Sequence, residues 1–142
     1  MSRRALNLVF NADLGSSALV GPALRGIAEA VGFERARAAE VALCAQEAAV
    51  NAAEHAFAGQ PEGVVTVLVA FDEGLLEVSV HDKGQPMPPG LLDAARVTEP
   101  DPLADRGRGL FMITRLTETV SYCPGAEKNV LEMTFRLSPA AE

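Results

Sequence analysis

Apolar and polar residues follow two periods along this chain. Leu6-Asn7-Leu8-Val9-Phe10 reads as a first strand. Leu76, Val78 and Val80 alternate with Glu77, Ser79 and His81, the period of two that marks a strand with one buried face. Residues 63–71 and 75–81 are two such strands around Asp72-Glu73-Gly74, a strong hairpin signal. Residues 117–123 and 129–137 form a final hairpin across Pro124-Gly125. Between these lie segments of helical period. One helix begins near Ser16-Ser17, where serines can cap it, and runs to about Ala30, with Gly32-Phe33 breaking it. The Ala-rich run from about Arg35 to Phe57 reads as one long helix ending near Gly59-Gln60-Pro61. A short helix is predicted within residues 88–95 and a third main helix over 109–116. Thr98-Glu99-Pro100-Asp101-Pro102 has neither period and reads as irregular and mobile. Helices with a mostly antiparallel sheet predict an α+β fold, a two-layer α/β sandwich.

Composition narrows the class. A chain of 142 residues suits one domain, and 49% apolar residues argue against disorder. No apolar run reaches 18 residues, and Ser2-Arg3-Arg4 leads into a strand rather than a long apolar segment. Neither a membrane span nor a secretory leader is therefore expected. Cys44 and Cys123 have no metal spacing, and both read as small buried hydrophobes in a reducing compartment, so the expected localisation is cytoplasmic. A net charge of −7 argues against nucleic-acid binding and suits a protein partner. Ten arginines against two lysines, with abundant Ala, Gly and Pro, fit a GC-rich bacterial coding sequence.

Three motifs carry candidate chemistry. On the long helix, Glu47, Asn51 and His55 are spaced four apart and share a face, with Glu54 beside them. That stripe is either a solvated face or a base plus a neutral oxygen ligand for a hard cation such as Mg²⁺. The second motif is His81-Asp82-Lys83-Gly84. Continuing the strand's alternation puts Asp82 on the buried face, where a carboxylate needs a donor. Gly84 supplies close backbone approach or a positive φ. The motif is either an ordinary Asp-x-Gly turn or an acceptor for a ligand amino group. The third motif is Arg106-Gly107-Arg108-Gly109-Leu110, two glycines opening an apolar helix. Free N–H groups and the helix dipole make such a junction a phosphate cradle. It lacks the third glycine of a dinucleotide fingerprint and the Lys-Ser/Thr of a P-loop. Other residues take plainer readings. His55 is structural or capping, His81 sits at the surface, Phe111 and Met112 pack the core, and Glu54 is a solvated partner of an arginine.

The order of the motifs, Glu-x3-Asn on a helix, Asp-x-Gly after a strand and Gly-x-Gly before a helix, resembles the GHKL ATPase superfamily. Length and local wording are most similar to its small branch, the bacterial anti-sigma-factor serine/threonine kinases. The resemblance runs from near Ala5 to near Leu137. It implies the Bergerat type of sandwich, with helices on one face, and a single histidine-kinase-like ATPase domain over residues 1–142. It implies ATP and Mg²⁺ as cofactors. Asn51 would coordinate the Mg²⁺ on the ATP phosphates, and Glu47 would be the general base. Asp82 would bind the adenine amino group, with Gly84 at the adenine edge. Gly107 and Gly109 would contact phosphate, Arg106 or Arg108 would add charge, and residues 95–106 would form a lid.

The implied function is a protein kinase that phosphorylates a small anti-sigma-factor antagonist protein and sequesters a sigma factor, as a homodimer. The alternative is a nucleotide-binding interaction module without significant phosphoryl transfer. Glu47 favours the kinase, because a binding-only module has no need of a base there. Two positions depart from the branch's pattern. Arg106 stands where the first of two adjacent glycines is common, leaving one fewer hinge. Glu127-Lys128-Asn129-Val130 replaces a Gly-Thr opening of the last strand, with Asn129 as the substitute polar partner of the adenine carboxylate.

Overall fold

Alternating side chains on five strands bury one face of a sheet, and the helices cover that face. The computed structural model describes residues 3–56, 63–99, 101, 103 and 108–138, with His55 and Ala56 described by backbone alone. The strands are β1 (Arg4–Asn11), β2 (Val64–Asp72), β3 (Leu75–Asp82), β4 (Thr119–Cys123) and β5 (Asn129–Arg136). They lie in the order β1-β2-β3-β5-β4, and every pairing among the described residues is antiparallel. Val65, Val67, Val69, Leu76, Val78, Val80, Met133 and Phe135 line the covered face and are buried. The β2–β3 hairpin turns on Glu73 and Gly74, at φ 49° and 77°. Two residues at positive φ match the twist of the flanking strands, and glycine takes the second without a Cβ penalty. That turn sets the register that places Asp82 between Val65 and Asn129.

The helices are α1 (Leu14–Ser17), α2 (Val20–Ala30), α3 (Arg35–Asn51), α4 (Leu91–Val97) and α5 (Arg108–Leu116). The first one starts earlier than the serine signal predicts. Asp13 is its N-cap, accepting from the Ser16 amide at 2.6 Å and the Ser16 hydroxyl at 3.1 Å. Aspartate caps as well as serine does, and Ser17 instead turns its buried hydroxyl onto the Asp13 carbonyl at 2.7 Å. On α2, Val20, Leu24 and Ala28 are buried at a spacing of four. They meet α3, whose buried face is made of Ala38, Val41, Cys44, Ala45, Ala48 and Ala49. Such small side chains let the two helices approach closely. Gln46 of α3 accepts the Gly21 amide at 2.7 Å, satisfying an N–H that the start of α2 would leave unpaired.

The long helix is not α-helical throughout. After Asn51 the chain widens into a π turn over Ala52–Ala56. Glu47 and Asn51 keep the α spacing, whereas the His55 backbone falls within the wider turn. Its side chain and residues 57–62 lie outside the described residues. Cys44 is fully buried, and burial first of all pushes its thiol up to about 12, opposed by Arg37 and assisted by Glu40 and Glu47. Cys123 is exposed, contrary to its reading as a buried hydrophobe. Val120 and Tyr122 take the covered side of β4, so alternation turns Cys123 outward. Phe111 and Met112 are only half-buried; Leu110 and Ile113 are the core residues of α5. The Arg115 guanidinium lies over the Phe111 ring at 4.7 Å. Among the described residues no helix is long and apolar enough to cross a membrane.

Candidate functional site

Two groups of polar side chains stand out, one at the end of β3 and one on α3, which packs against both β3 and α5. At the first, β3 ends on Asp82, which is 8% exposed. Its Oδ1 accepts the Gly84 amide at 3.0 Å and the Asn129 Nδ2 amide at 2.9 Å. Asn129 opens β5 directly across the ladder from Asp82, is buried, and also donates to the Gly84 carbonyl at 3.0 Å. The predicted polar partner is thus in place, and it closes the Asp-x-Gly turn from the neighbouring strand. Gly84 is not at positive φ; its backbone is used for these two hydrogen bonds. Among the described residues nothing donates to Asp82 Oδ2. That oxygen is also not sealed away, since no buried side-chain atom among them lacks a partner. The carboxylate therefore commits one oxygen to the fold and leaves the other accessible.

Tyr122 was not singled out by the sequence. Its hydroxyl accepts the Met87 amide at 2.9 Å and pins the Pro86–Met87 segment beside Asp82. Burial raises the phenol above its usual range, the Met87 N–H opposes the rise, and the negative Asp82 adds to it. The period-two pattern points Tyr122 inward, but its neighbours depend on the β4–β5 register, which the loop at residues 124–128 conceals. His81, on the opposite face from Asp82, is half-buried, with Ser79 Oγ 3.0 Å from its Nε2. Burial lowers its basicity first, Lys128 lowers it further, and Asp82 partly offsets both.

In the second group, Glu47 and Asn51 stand one turn apart on α3, both half-buried. Among the described residues neither side chain has a hydrogen bond or ion pair. The Glu47 side chain lies directly against Gly109, in the first turn of α5. A Cβ built on Gly109 would stand 2.7 Å from Glu47 Cδ and 3.1 Å from its Cγ. The fold therefore brings the helix carboxylate to the opening of the Gly-x-Gly helix, two motifs more than sixty residues apart in sequence. Arg108 begins α5 and is exposed. Arg106 and Gly107 lie outside the described residues, as does much of the expected lid. Its start, residues 95–97, belongs to α4, and Leu103 donates its amide to Asp101 at 2.8 Å. Glu54 is exposed.

Chemically, this is a carboxylate against the first turn of a helix, a carboxamide one turn along from it on α3, and a second carboxylate acceptor at the end of β3. Comparison with known proteins places the chain in a family. A family model described as a histidine kinase-like ATPase domain matches residues 10–135. Over 61 residues the chain is 33% identical to an anti-sigma F factor of Halalkalibacterium halodurans. It is 38% identical, also over 61 residues, to the serine-protein kinase RsbW of Listeria monocytogenes. Each match covers 43% of this chain and 39% of the relative, so the chain aligns with well under half of either curated protein. Among solved structures, that of the RsbU and RsbW domains of Rv1364c from Mycobacterium tuberculosis superposes with a TM-score of 0.71. It is 23% identical and covers 98% of this chain and 34% of that one. The SiaB-SiaC complex of Pseudomonas aeruginosa gives 0.64 at 21% identity, covering 93% and 90%. These two likenesses carry the fold, and the family model carries the membership: this chain belongs to the histidine kinase-like ATPase domain family.

Proposed function

We propose that the chain acts as one ATP-dependent serine/threonine kinase domain and anti-sigma regulatory factor, which phosphorylates a small antagonist protein and sequesters a sigma factor as a homodimer. The observation that carries this reading is the Glu47 carboxylate lying against the first turn of α5, one helical turn from Asn51. The relatives named serine-protein kinase and anti-sigma F factor support it.

The residues present fit Mg-ATP. Asp82 Oδ2 is an open acceptor that suits an adenine amino group. Asn51 offers one neutral oxygen, to which Mg²⁺ would add phosphate oxygens and water. The first turn of α5 offers amides to phosphate. Mg-ATP, when bound, supplies the transferable γ-phosphoryl group. Glu47 then takes the proton of the attacking Ser or Thr hydroxyl. Transfer would form a bond from that oxygen to γ-phosphorus and break the bond between γ-phosphorus and the β–γ bridging oxygen, with ADP as the leaving group keeping that electron pair and Glu47 keeping the proton.

A positioned general base contributes about 10²–10⁴-fold to rate. Glu47→Gln keeps the shape and cannot accept the proton. It is expected to bind Mg-ATP and partner like the parent while phosphate incorporation into the antagonist falls by about that factor. Transfer at the parent's rate would remove Glu47 as base. A parent that binds ATP and partner tightly yet transfers nothing would make the chain an interaction module.

A further inference from the structure

The contact between Gly109 and Glu47 has an unusual feature. Gly109 sits in the first turn of α5 and is not at positive φ, so its backbone does not call for glycine. A helix generally prefers alanine to glycine. The space a Cβ would need is filled by one neighbour. Glu47 Cδ would lie at 2.7 Å and Cγ at 3.1 Å, with Oε2 nearer still. All three atoms belong to the far part of a side chain that can rotate. A methyl group there would displace the carboxylate without breaking the helix.

We infer that Gly109 is a positioning residue for Glu47: its missing side chain is the clearance that lets the carboxylate stand against the start of α5. This rests on the reading of Glu47 as the base. It assigns Gly109 a task separate from contacting phosphate, because the direction a Cβ would take leads to Glu47. The two tasks separate in kinetics. A lost phosphate contact weakens nucleotide binding. A displaced base leaves nucleotide binding intact and lowers turnover, since a misplacement of about 1 Å can cost on the order of 10²-fold.

The experiment is a double-mutant cycle on the full chain. Gly109→Ala is made in the parent, in Glu47→Asp and in Glu47→Ala. The first readout is thermal stability without ligand. In Glu47→Ala the methyl group has room, so Gly109→Ala should raise the melting temperature there and raise it less, or lower it, in the parent. Equal shifts in the two backgrounds overturn the clearance. The second readout is transfer to the antagonist at saturating Mg-ATP, with nucleotide affinity measured alongside. Gly109→Ala should lower turnover by about 10²-fold at near-parental affinity. In Glu47→Asp, whose carboxylate is one methylene shorter, the further loss should be much smaller. Parental turnover in Gly109→Ala, or an equal fold-loss in both backgrounds, overturns the positioning role. If the stability coupling is found while the parent transfers nothing, the kinase reading and the positioning role fail together, and only the steric clearance stands.

Discussion

Asp82 shows how much one residue can be asked to do. Its Oδ1 holds two donors that shape the end of β3, and Oδ2 is left open. Asp82→Asn keeps an oxygen for the Gly84 and Asn129 donors but turns an amide toward a ligand amino group. An unmade hydrogen bond at such a site costs about 1–3 kcal/mol, so ATP affinity should fall by about ten- to a hundred-fold by calorimetry. Equal affinity would remove the adenine assignment. Tyr122→Phe should weaken ATP binding more mildly, through the Met87 amide it strands. His81 offers a test by pH. Its folded pKa lies below the 6.5 of the free side chain, so the unfolded chain binds the proton more readily. Its stabilising contribution is complete above that value and is lost as pH falls toward the folded pKa. Between about pH 7.5 and about pH 5 the parent should lose stability relative to His81→Asn; parallel curves would contradict the shift. Asp82 was legible from alternation alone. Tyr122 was not, because its neighbours depend on a strand register set by a loop whose length no motif declares.

Elements were legible where a local signal decides them and less so where packing does. The β2–β3 hairpin follows from Asp72-Glu73-Gly74, and the turn geometry agrees with it. The π turn after Asn51 left no mark in an alanine-rich run, since alanine suits either register. The tie between α3 and α5 was equally hidden. Arg37 Nη1 donates to the Leu116 carbonyl at 2.6 Å, and its guanidinium lies 5.4 Å from the Phe135 ring centre. A cation at the last carbonyls of α5 also complements the helix dipole. A hydrogen bond to a charged group contributes about 1.5–3 kcal/mol. Arg37→Ala should therefore cost on the order of 2 kcal/mol, read as a lower denaturant midpoint at unchanged slope. Arg37→Lys should recover part of the loss. Because this tie sits at the far end of α5 from Gly109, its loss should loosen the seating of α5 against α3 as well.

At the scale of the molecule, the candidate ligand groups come from separate stretches of sequence. Glu47 and Asn51 stand on α3, Asp82 on β3, Asn129 on β5 and Gly109 on α5. Motif order suggested one shared site only through the family resemblance it carries, because each signal is local to its own element. It could not show that Glu47 and Gly109 meet, which depends on how α3 and α5 pack. A ligand that touches all of these elements binds only when they are assembled, so it should stabilise the whole fold. At about 100 times its dissociation constant such a ligand adds about 2.7 kcal/mol. For a chain of this size that should raise the melting temperature by several degrees. ATP with Mg²⁺ should raise it more than ATP with a chelator. Asn51→Ala should abolish that difference while keeping the shift from ATP alone, because it removes the protein's oxygen for the cation and leaves Asp82 in place. Asp82→Asn should do the reverse, reducing both shifts and preserving their Mg²⁺ dependence. An unchanged Mg²⁺ dependence in Asn51→Ala would take the cation away from α3, and with it the argument that Glu47 stands beside the transferring phosphate.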